Sequence, residues 1–215
     1  MPLAEVRRGL AAGFGGNTAP AMGMSTLGHL VVVQFYQQMI LDGRGYQVRA
    51  GTISAPLTGD GTAITDAAAE MCADCASGTT IMPVYSLTSI DTWTADDSEG
   101  ATKSVATVSS AGAAFVPLPL KTDGTAAVTT ARVAATGGVT VTAELATTTL
   151  VHYMWHSDEG GTPATDITST SEKEWAPIAA PVLVGARCFY VQVSLATYFA
   201  HFDYLELPTL MVNPS

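Results

Sequence analysis

The sequence is poor in charged residues, and poorest in basic ones. Charged residues make up 13% of its 215 residues, about half the usual share for a soluble domain. Nine Lys and Arg stand against nineteen Asp and Glu, giving a net charge of −10. Binding to nucleic-acid phosphates needs a positive patch. Since Arg7-Arg8 is the only adjacent basic pair, the composition argues against nucleic-acid binding.

Cysteine and glycosylation signals are scarce as well. Cys72, Cys75 and Cys188 are an odd number of thiols and offer no disulfide framework. The chain also has no Asn-x-Ser/Thr acceptor. Neither feature indicates a secreted glycoprotein.

Long apolar runs are missing too. The most apolar early stretch, Leu27–Leu41, is interrupted by His29 and three Gln residues, and it is too short to cross a bilayer. Glu5, Arg7 and Arg8 occupy the place where a signal peptide needs an apolar run. We therefore expect that the protein is made in the cytoplasm and does not contact a membrane.

What the sequence does have is β patterning, clearest in its closing stretch, Pro181–Pro208. Phe189, Val191, Val193 and Leu195 alternate with Tyr190, Gln192 and Ser194. This period of two is typical of a half-buried strand. After a short join, the inward positions are Tyr198, Ala200, Phe202 and Tyr204. The stretch predicts two long strands that form a central core pair.

The rest of the chain predicts an all-β fold, an antiparallel β-sandwich of jelly-roll or similar Greek-key topology. Thr-rich faces opposite Val-rich faces are typical of such sheets. Strands are predicted at 27–36, 37–41, 44–54, 80–90, 103–108, 113–120, 126–134 and 139–155, before the closing pair. Residues 1–26, rich in Gly, Ala and Met, predict an extended N-terminal arm, and 27–215 a single domain.

One short helix is predicted at 65–76. Thr65 or Asp66 can cap its start, three alanines follow, Glu70 falls in its first turns, and Gly78 comes after its end. Asp42-Gly43 predicts a hairpin turn, because glycine adopts the positive φ that such a turn requires. The acidic residues at 96–100 predict a second turn between strands.

Candidate chemistry is sparse. Cys72-Ala-Asp-Cys75 has redox or zinc spacing, but it lacks a second ligand pair, so packing of two small thiols is favoured. His152 and His156 would lie about 13 Å apart on a strand, too far to share one zinc ion. The acidic residues at 96–99 fit a solvated turn better than a calcium loop. With no nucleophile beside a base, the sequence predicts no enzyme, no metal and no cofactor.

Four passages resemble small structural proteins of bacteriophages and related viruses. They are GHLVVVQFY at 28–36, YQVRAGTIS at 46–54, FVPLPL at 115–120 and CFYVQV at 188–193. Such proteins are typically β-sandwiches that build, decorate or seal a capsid, or form tail and vertex parts. The resemblance implies a virion structural protein that acts through contacts between subunits.

A weakly charged surface agrees with this expectation, because partners can cover part of it. The expected partners are copies of the chain and other virion proteins, with no nucleic acid, membrane or small-molecule substrate, and the expected location is the virion. In such proteins an N-terminal arm commonly reaches a neighbouring subunit. The candidate interface residues of the arm are Arg7, Arg8, Phe14, Met22 and Met24.

A second hypothesis is a carbohydrate-binding β-sandwich of an adhesin or receptor-binding protein. Trp93, Tyr153, Trp155 and Trp175, with the loop at 157–171, offer candidate stacking faces and polar partners. Burial of these aromatic side chains in the core is the competing interpretation.

Overall fold

The computed structural model describes residues 23–24, 30–31, 35–59, 64, 68–93, 97–134, 138–141, 148–158 and 171–207. These residues form antiparallel strands and one helix, α1 (Phe35–Leu41), which confirms the predicted all-β class. The strands are β1 (Gly23–Met24), β2 (Leu30–Val31), β3 (Gly45–Ala50), β4 (Leu57–Thr58), β5 (Ala68–Ala69), β6 (Met71–Cys75), β7 (Thr80–Trp93), β8 (Asp97–Val105), β9 (Ser110–Ala111), β10 (Ala113–Phe115), β11 (Leu118–Pro119), β12 (Thr130–Val133), β13 (Val139–Thr140), β14 (Leu150–Asp158), β15 (Ser171–Trp175), β16 (Leu183–Val184), β17 (Arg187–Ser194) and β18 (Ala196–Leu207).

The longer strands are divided between two large sheets. One contains the order β3-β18-β7-β15 and the other the order β6-β17-β8-β14. In chain order these eight strands are β3, β6, β7, β8, β14, β15, β17 and β18. The first pairs with the last (β3 with β18), and the second pairs with the seventh (β6 with β17). Further in, β7 pairs with β15 and β8 with β14. Nested pairing of this kind, rolled over two sheets, is jelly-roll topology, as the sequence predicted.

The main core lies between these two sheets. Alternate residues of β18, including Tyr198, Phe202 and Tyr204, are buried on its inner face, as their spacing predicts. Phe189 of β17 faces them from the other sheet, with its ring centroid 5.1 Å from that of Phe202 in an edge-to-face arrangement. The closing strands therefore pack face to face across the core.

A third layer covers the outer face of β6 and β17. The short strands β5, β13 and β9 form a three-stranded sheet, and Val139 and Val141 pack with Cys72, Cys188 and Tyr190 in a second buried cluster. From Cys188 onward, every residue of β17 is therefore buried. The sequence predicted a half-buried strand here, and the structure buries both faces.

The helix predicted at 65–76 is wrong in the described part of that range. Ala68–Ala69 and Met71–Cys75 are strands, and every residue of the second is buried. Small Ala and Cys side chains fit a strand covered on both faces, so tertiary packing overrides the helical preference of alanine. Glu70, expected in a helical turn, is the buried residue between the two strands.

The one described helix lies where strands were predicted. α1 covers Phe35–Leu41, and Asp42-Gly43 ends this helix instead of turning a hairpin. Gly43 has a φ of 72°, and the N–H of Arg44 donates to the carbonyl of Met39 at 2.9 Å. This is a left-handed glycine cap, which needs the same positive φ as the predicted turn. No helix within the described ranges is long and apolar enough to cross a membrane.

The predicted acidic turn at 96–100 is also wrong for its described residues. Asp97–Gly100 begin β8, which pairs with β14 on one side and β17 on the other. Ser98 and Gly100 are buried. Local turn propensity is overridden because both neighbours of this strand come from distant parts of the chain.

Candidate functional site

The edge of the six-stranded sheet formed by β14 is the most distinctive exposed feature. β14 is nine residues long and, among the described residues, pairs only with β8. Leu150, Val151 and Met154 are 57%, 48% and 58% exposed; we call them the β14 edge. Edge strands usually carry charges, proline or bulges that oppose pairing with another chain. β14 has a register shift at His152, and it also exposes these apolar side chains to solvent.

The corresponding edge of the other sheet is protected in the usual way. β15 ends the seven-stranded sheet and carries Glu172, Lys173 and Glu174 in succession. Lys173 also reaches over Trp155 of β14, with its Nζ 5.5 Å from the ring centroid. β14 and β15 therefore differ in chemistry, with exposed apolar side chains on β14 and a run of charged residues on β15.

The inward-facing side chains of β14 pack against the core. Tyr153 and Trp155 pack against the main core, and the register shifts between Val151 and Tyr153, which places His152 in a bulge. The His152 Nε2 lies 2.9 Å from the Ser104 hydroxyl, and burial lowers the pKa of this imidazole. Bulges are common in edge strands, and this one does not end the strand, since β14 pairs with β8 on both sides of it.

A cleft on the outer face of the seven-stranded sheet is the second candidate site. Its volume is about 710 Å³, and α1, β7, β18 and the segment before β16 line it. Phe35 and Ile178 form an exposed apolar rim, and Tyr36, Tyr85 and Asp203 supply its polar groups. We call this the α1 cleft.

The polar groups of the α1 cleft are held by burial and by one another. Burial raises the pKa of Asp203, opposed by the hydrogen bond that Gln47 Nε2 donates to its Oδ1 at 3.0 Å. Burial, and secondarily the charge of Asp203, raises the pKa of Tyr36, and burial with Glu174 raises that of Tyr85. Both phenols therefore remain neutral donors beside an acceptor carboxylate, which suits a neutral polar ligand.

A buried thiol–carboxylate cluster is the third candidate site. Cys72, Asp74 and Cys188 lie on the outer face of β6 and β17, with one potential ligand atom from each within 4.8 Å of the others. Ser109 donates its N–H and its hydroxyl to the two Asp74 oxygens, each at 2.7 Å. Burial, with the neighbouring Cys72 and Asp74, raises the pKa of Cys188 well above its usual value.

The structure separates the two cysteines that the sequence motif joined. Cys75 packs in the main core, whereas Cys72 belongs to the second buried cluster with Cys188. Residues three apart on a strand point to opposite faces, so Cys72 and Cys75 do not face one site. The sequence analysis missed the proximity of Cys72 to Cys188, because only the pairing of β6 with β17 creates it.

The remaining sequence candidates have separate surroundings. His152 faces Ser104 and the core, whereas His156 is exposed, with Nδ1 3.5 Å from Glu99 Oε1. Trp175 is buried in the main core with Tyr153 and Trp155 packed against it, so these rings are poorly placed as an open stacking platform. The side chain of Trp93 is outside the described residues.

The proposed residues of the arm fall largely outside the described ranges. Arg7, Arg8, Phe14 and Met22 lie outside them, and Met24 contributes only its backbone, in β1, which pairs with β2. The arm interface therefore stays a prediction. Neither the β14 edge nor the α1 cleft was identified from the sequence, although the apolar residues at 150, 151 and 154 were visible in it.

Comparisons of the chain with protein-family models, curated proteins and solved structures found no match.

Proposed function

We propose that this chain is a virion structural protein that assembles with copies of itself and with other virion proteins. The observation that carries the proposal is the β14 edge, which pairs on one side only among the described strands and exposes three apolar side chains. Jelly-roll domains occur in viral capsids as well as in lectins and cupins, so the topology allows this function without selecting it.

Physical chemistry supports assembly through this edge. An unpaired strand offers a row of backbone donors and acceptors to another chain. Apolar side chains beside that row lose contact with water when a neighbour covers them, at about 25 cal/mol per Å² of apolar area. Only 13% of the residues are charged, so few charged groups need to lose their hydration when a partner covers the surface.

The test is to place charge on the edge and measure the mass of the native assembly. Leu150→Lys combined with Met154→Lys puts two ammonium groups at exposed positions, where the fold tolerates them. Size-exclusion chromatography with light scattering should show a multimer or particle for the unchanged chain. The double variant should shift to the monomer mass while its far-UV circular dichroism is retained.

The matched control is Ile53→Lys, which charges a residue that is 80% exposed in the turn after β3. This variant should assemble like the unchanged chain. Removal of residues 1–26 tests the predicted arm in the same assay and should reduce assembly. An unchanged chain that is monomeric at every concentration would contradict the proposed function, as would equal assembly of the double variant.

A second candidate function is carbohydrate binding, and the α1 cleft is the observation that favours it. Aromatic rings beside a carboxylate can stack on sugar faces and accept hydrogen bonds from sugar hydroxyls. Phe35, Tyr85 and Asp203 provide such groups in one cleft. A glycan array should reveal a ligand whose binding Tyr85→Ala weakens, with the exposed Val182→Ala as control. An array without any bound glycan would remove this candidate.

A further inference from the structure

The buried cluster of Cys72, Asp74 and Cys188 brings together donor atoms of the kind that bind a metal ion. The sulfur atoms and one carboxylate oxygen lie within 4.8 Å of one another. In a tetrahedral zinc site, ligand bonds of about 2.0–2.3 Å place neighbouring donor atoms about 3.3–3.8 Å apart. The donors therefore need only small side-chain movements to surround one ion.

Ser109 adds a fourth donor at the same place. Its Oγ lies 3.0 Å from the Cys72 sulfur and 2.7 Å from Asp74 Oδ2. All four residues are at most 6% exposed. Cys72, Asp74 and Cys188 are ligands of the types that bind zinc, and the Ser109 oxygen is a fourth donor atom within hydrogen-bond distance of two of them.

The negative charge of the cluster can be offset by a bound cation and by a neighbouring basic side chain. Two thiolates and a carboxylate carry three negative charges, and a divalent cation cancels two of them. Arg132 Nε lies 3.8 Å from Asp74 Oδ2 and offsets the third. The Ser109 N–H holds the other carboxylate oxygen at 2.7 Å. Such contacts orient a ligating carboxylate and tune the metal site.

We propose that Cys72, Asp74, Cys188 and Ser109 form a structural zinc site that joins β6 to β17 beneath the outer three-stranded sheet. Thiolate donors select zinc over calcium and magnesium, and the oxygen donors favour Zn²⁺ over Cu(I). Each thiol releases its proton to solvent as the ion binds, and no electron transfer is involved. The site is independent of the proposed assembly function.

The test measures metal in the full-length chain. Because the cluster is sealed, the chain is expressed in zinc-supplemented medium and purified with a non-thiol reductant. Mass spectrometry of the metal should find about one zinc ion per chain. Cys72→Ser and Cys188→Ser should each lower the zinc content at least about tenfold.

Cys75→Ser is the matched control, because Cys75 is equally buried and lies on the same strand but packs in the main core. It should retain the zinc of the unchanged chain. Equal zinc loss in this variant, or an unchanged chain purified without zinc, would overturn the proposal.

A second measurement covers variants that fail to fold. The unchanged chain, produced in medium with Co²⁺ in place of zinc, should show thiolate-to-cobalt charge-transfer absorption and the visible bands of tetrahedral cobalt. Asp74→Asn keeps the size of the side chain and should weaken these bands. A protein that contains no cobalt, or contains it without charge-transfer absorption, would refute thiolate ligation.

Discussion

Gly100 provides the sharpest test of the packing between β8 and β14. A Cβ atom placed on Gly100 would lie far inside van der Waals contact with the indole of Trp155, which crosses β8 at this point. Gly100 pairs with Trp155 across the two strands, and its φ is not in the left-handed region. The glycine is therefore required for space, not for backbone conformation.

Gly100→Ala should consequently destabilise the fold by about 1–3 kcal/mol, the usual cost of overpacking. In a Trp155→Ala background the same change meets no indole. There it should be neutral or stabilising by about 0.5–1 kcal/mol, because alanine restricts the unfolded chain more than glycine does. The expected coupling free energy between the two positions is about 1–4 kcal/mol.

Urea unfolding followed by far-UV circular dichroism measures all four proteins of this double-mutant cycle. Far-UV detection is preferred because one variant removes a fluorescent tryptophan. All samples need the same protein concentration, since assembly stabilises the folded state by mass action. An equal effect of Gly100→Ala in both backgrounds would refute the steric argument, and an unchanged midpoint in the wild-type background would refute it as well.

Two further predictions concern the carboxylates of Glu70 and Asp203. Tyr198→Phe removes the hydroxyl that donates to Glu70 Oε2 at 2.9 Å. Urea unfolding should show that the free energy of unfolding falls by about 1.5–3 kcal/mol. A decrease of less than about 0.5 kcal/mol would contradict a stabilising role for this hydrogen bond. Asp203→Asn should raise stability at pH 7, because burial raises the pKa of Asp203 and Asn still accepts from Gln47. The folded wild type binds the Asp203 proton more tightly than the unfolded chain does, so wild-type stability falls as pH rises through the raised pKa. The stability gained by Asp203→Asn should therefore shrink as the pH is lowered towards about pH 4. A gain that is independent of pH would refute this prediction.

The strands that the sequence predicts best are those with one polar face. In β18, alternation correctly places Tyr198, Phe202 and Tyr204 on the inner face. The signal is local, because each side chain is apolar or polar according to the face on which it lies. The number of such strands predicts a jelly roll or a similar Greek key, and the nested pairing in the structure is that of a jelly roll.

Elements covered on both faces were harder to predict. In Met71–Cys75 every residue is buried, so the sequence shows no alternation, and small residues before it raise the apparent helix propensity. Its true neighbours are β12 and β17, far along the chain. Only that long-range pairing distinguishes a buried strand from a short helix. The same reasoning applies to Asp97–Gly100, which two neighbouring strands hold extended.

The candidate sites depend on pairing even more strongly. A C-x-x-C spacing brings two thiols together on a helix or a tight turn, and it separates them on a strand. Because Met71–Cys75 is a strand, the side chains that can lie near Cys72 come from neighbouring strands. The register of β6 with β17 places Cys188 opposite Asp74. The cysteine that looked isolated in the sequence is therefore the one that can share a site with Cys72. Alternation identifies the face of a strand, but the topology selects its neighbours, and the cluster of Cys72, Asp74 and Cys188 arises from that selection.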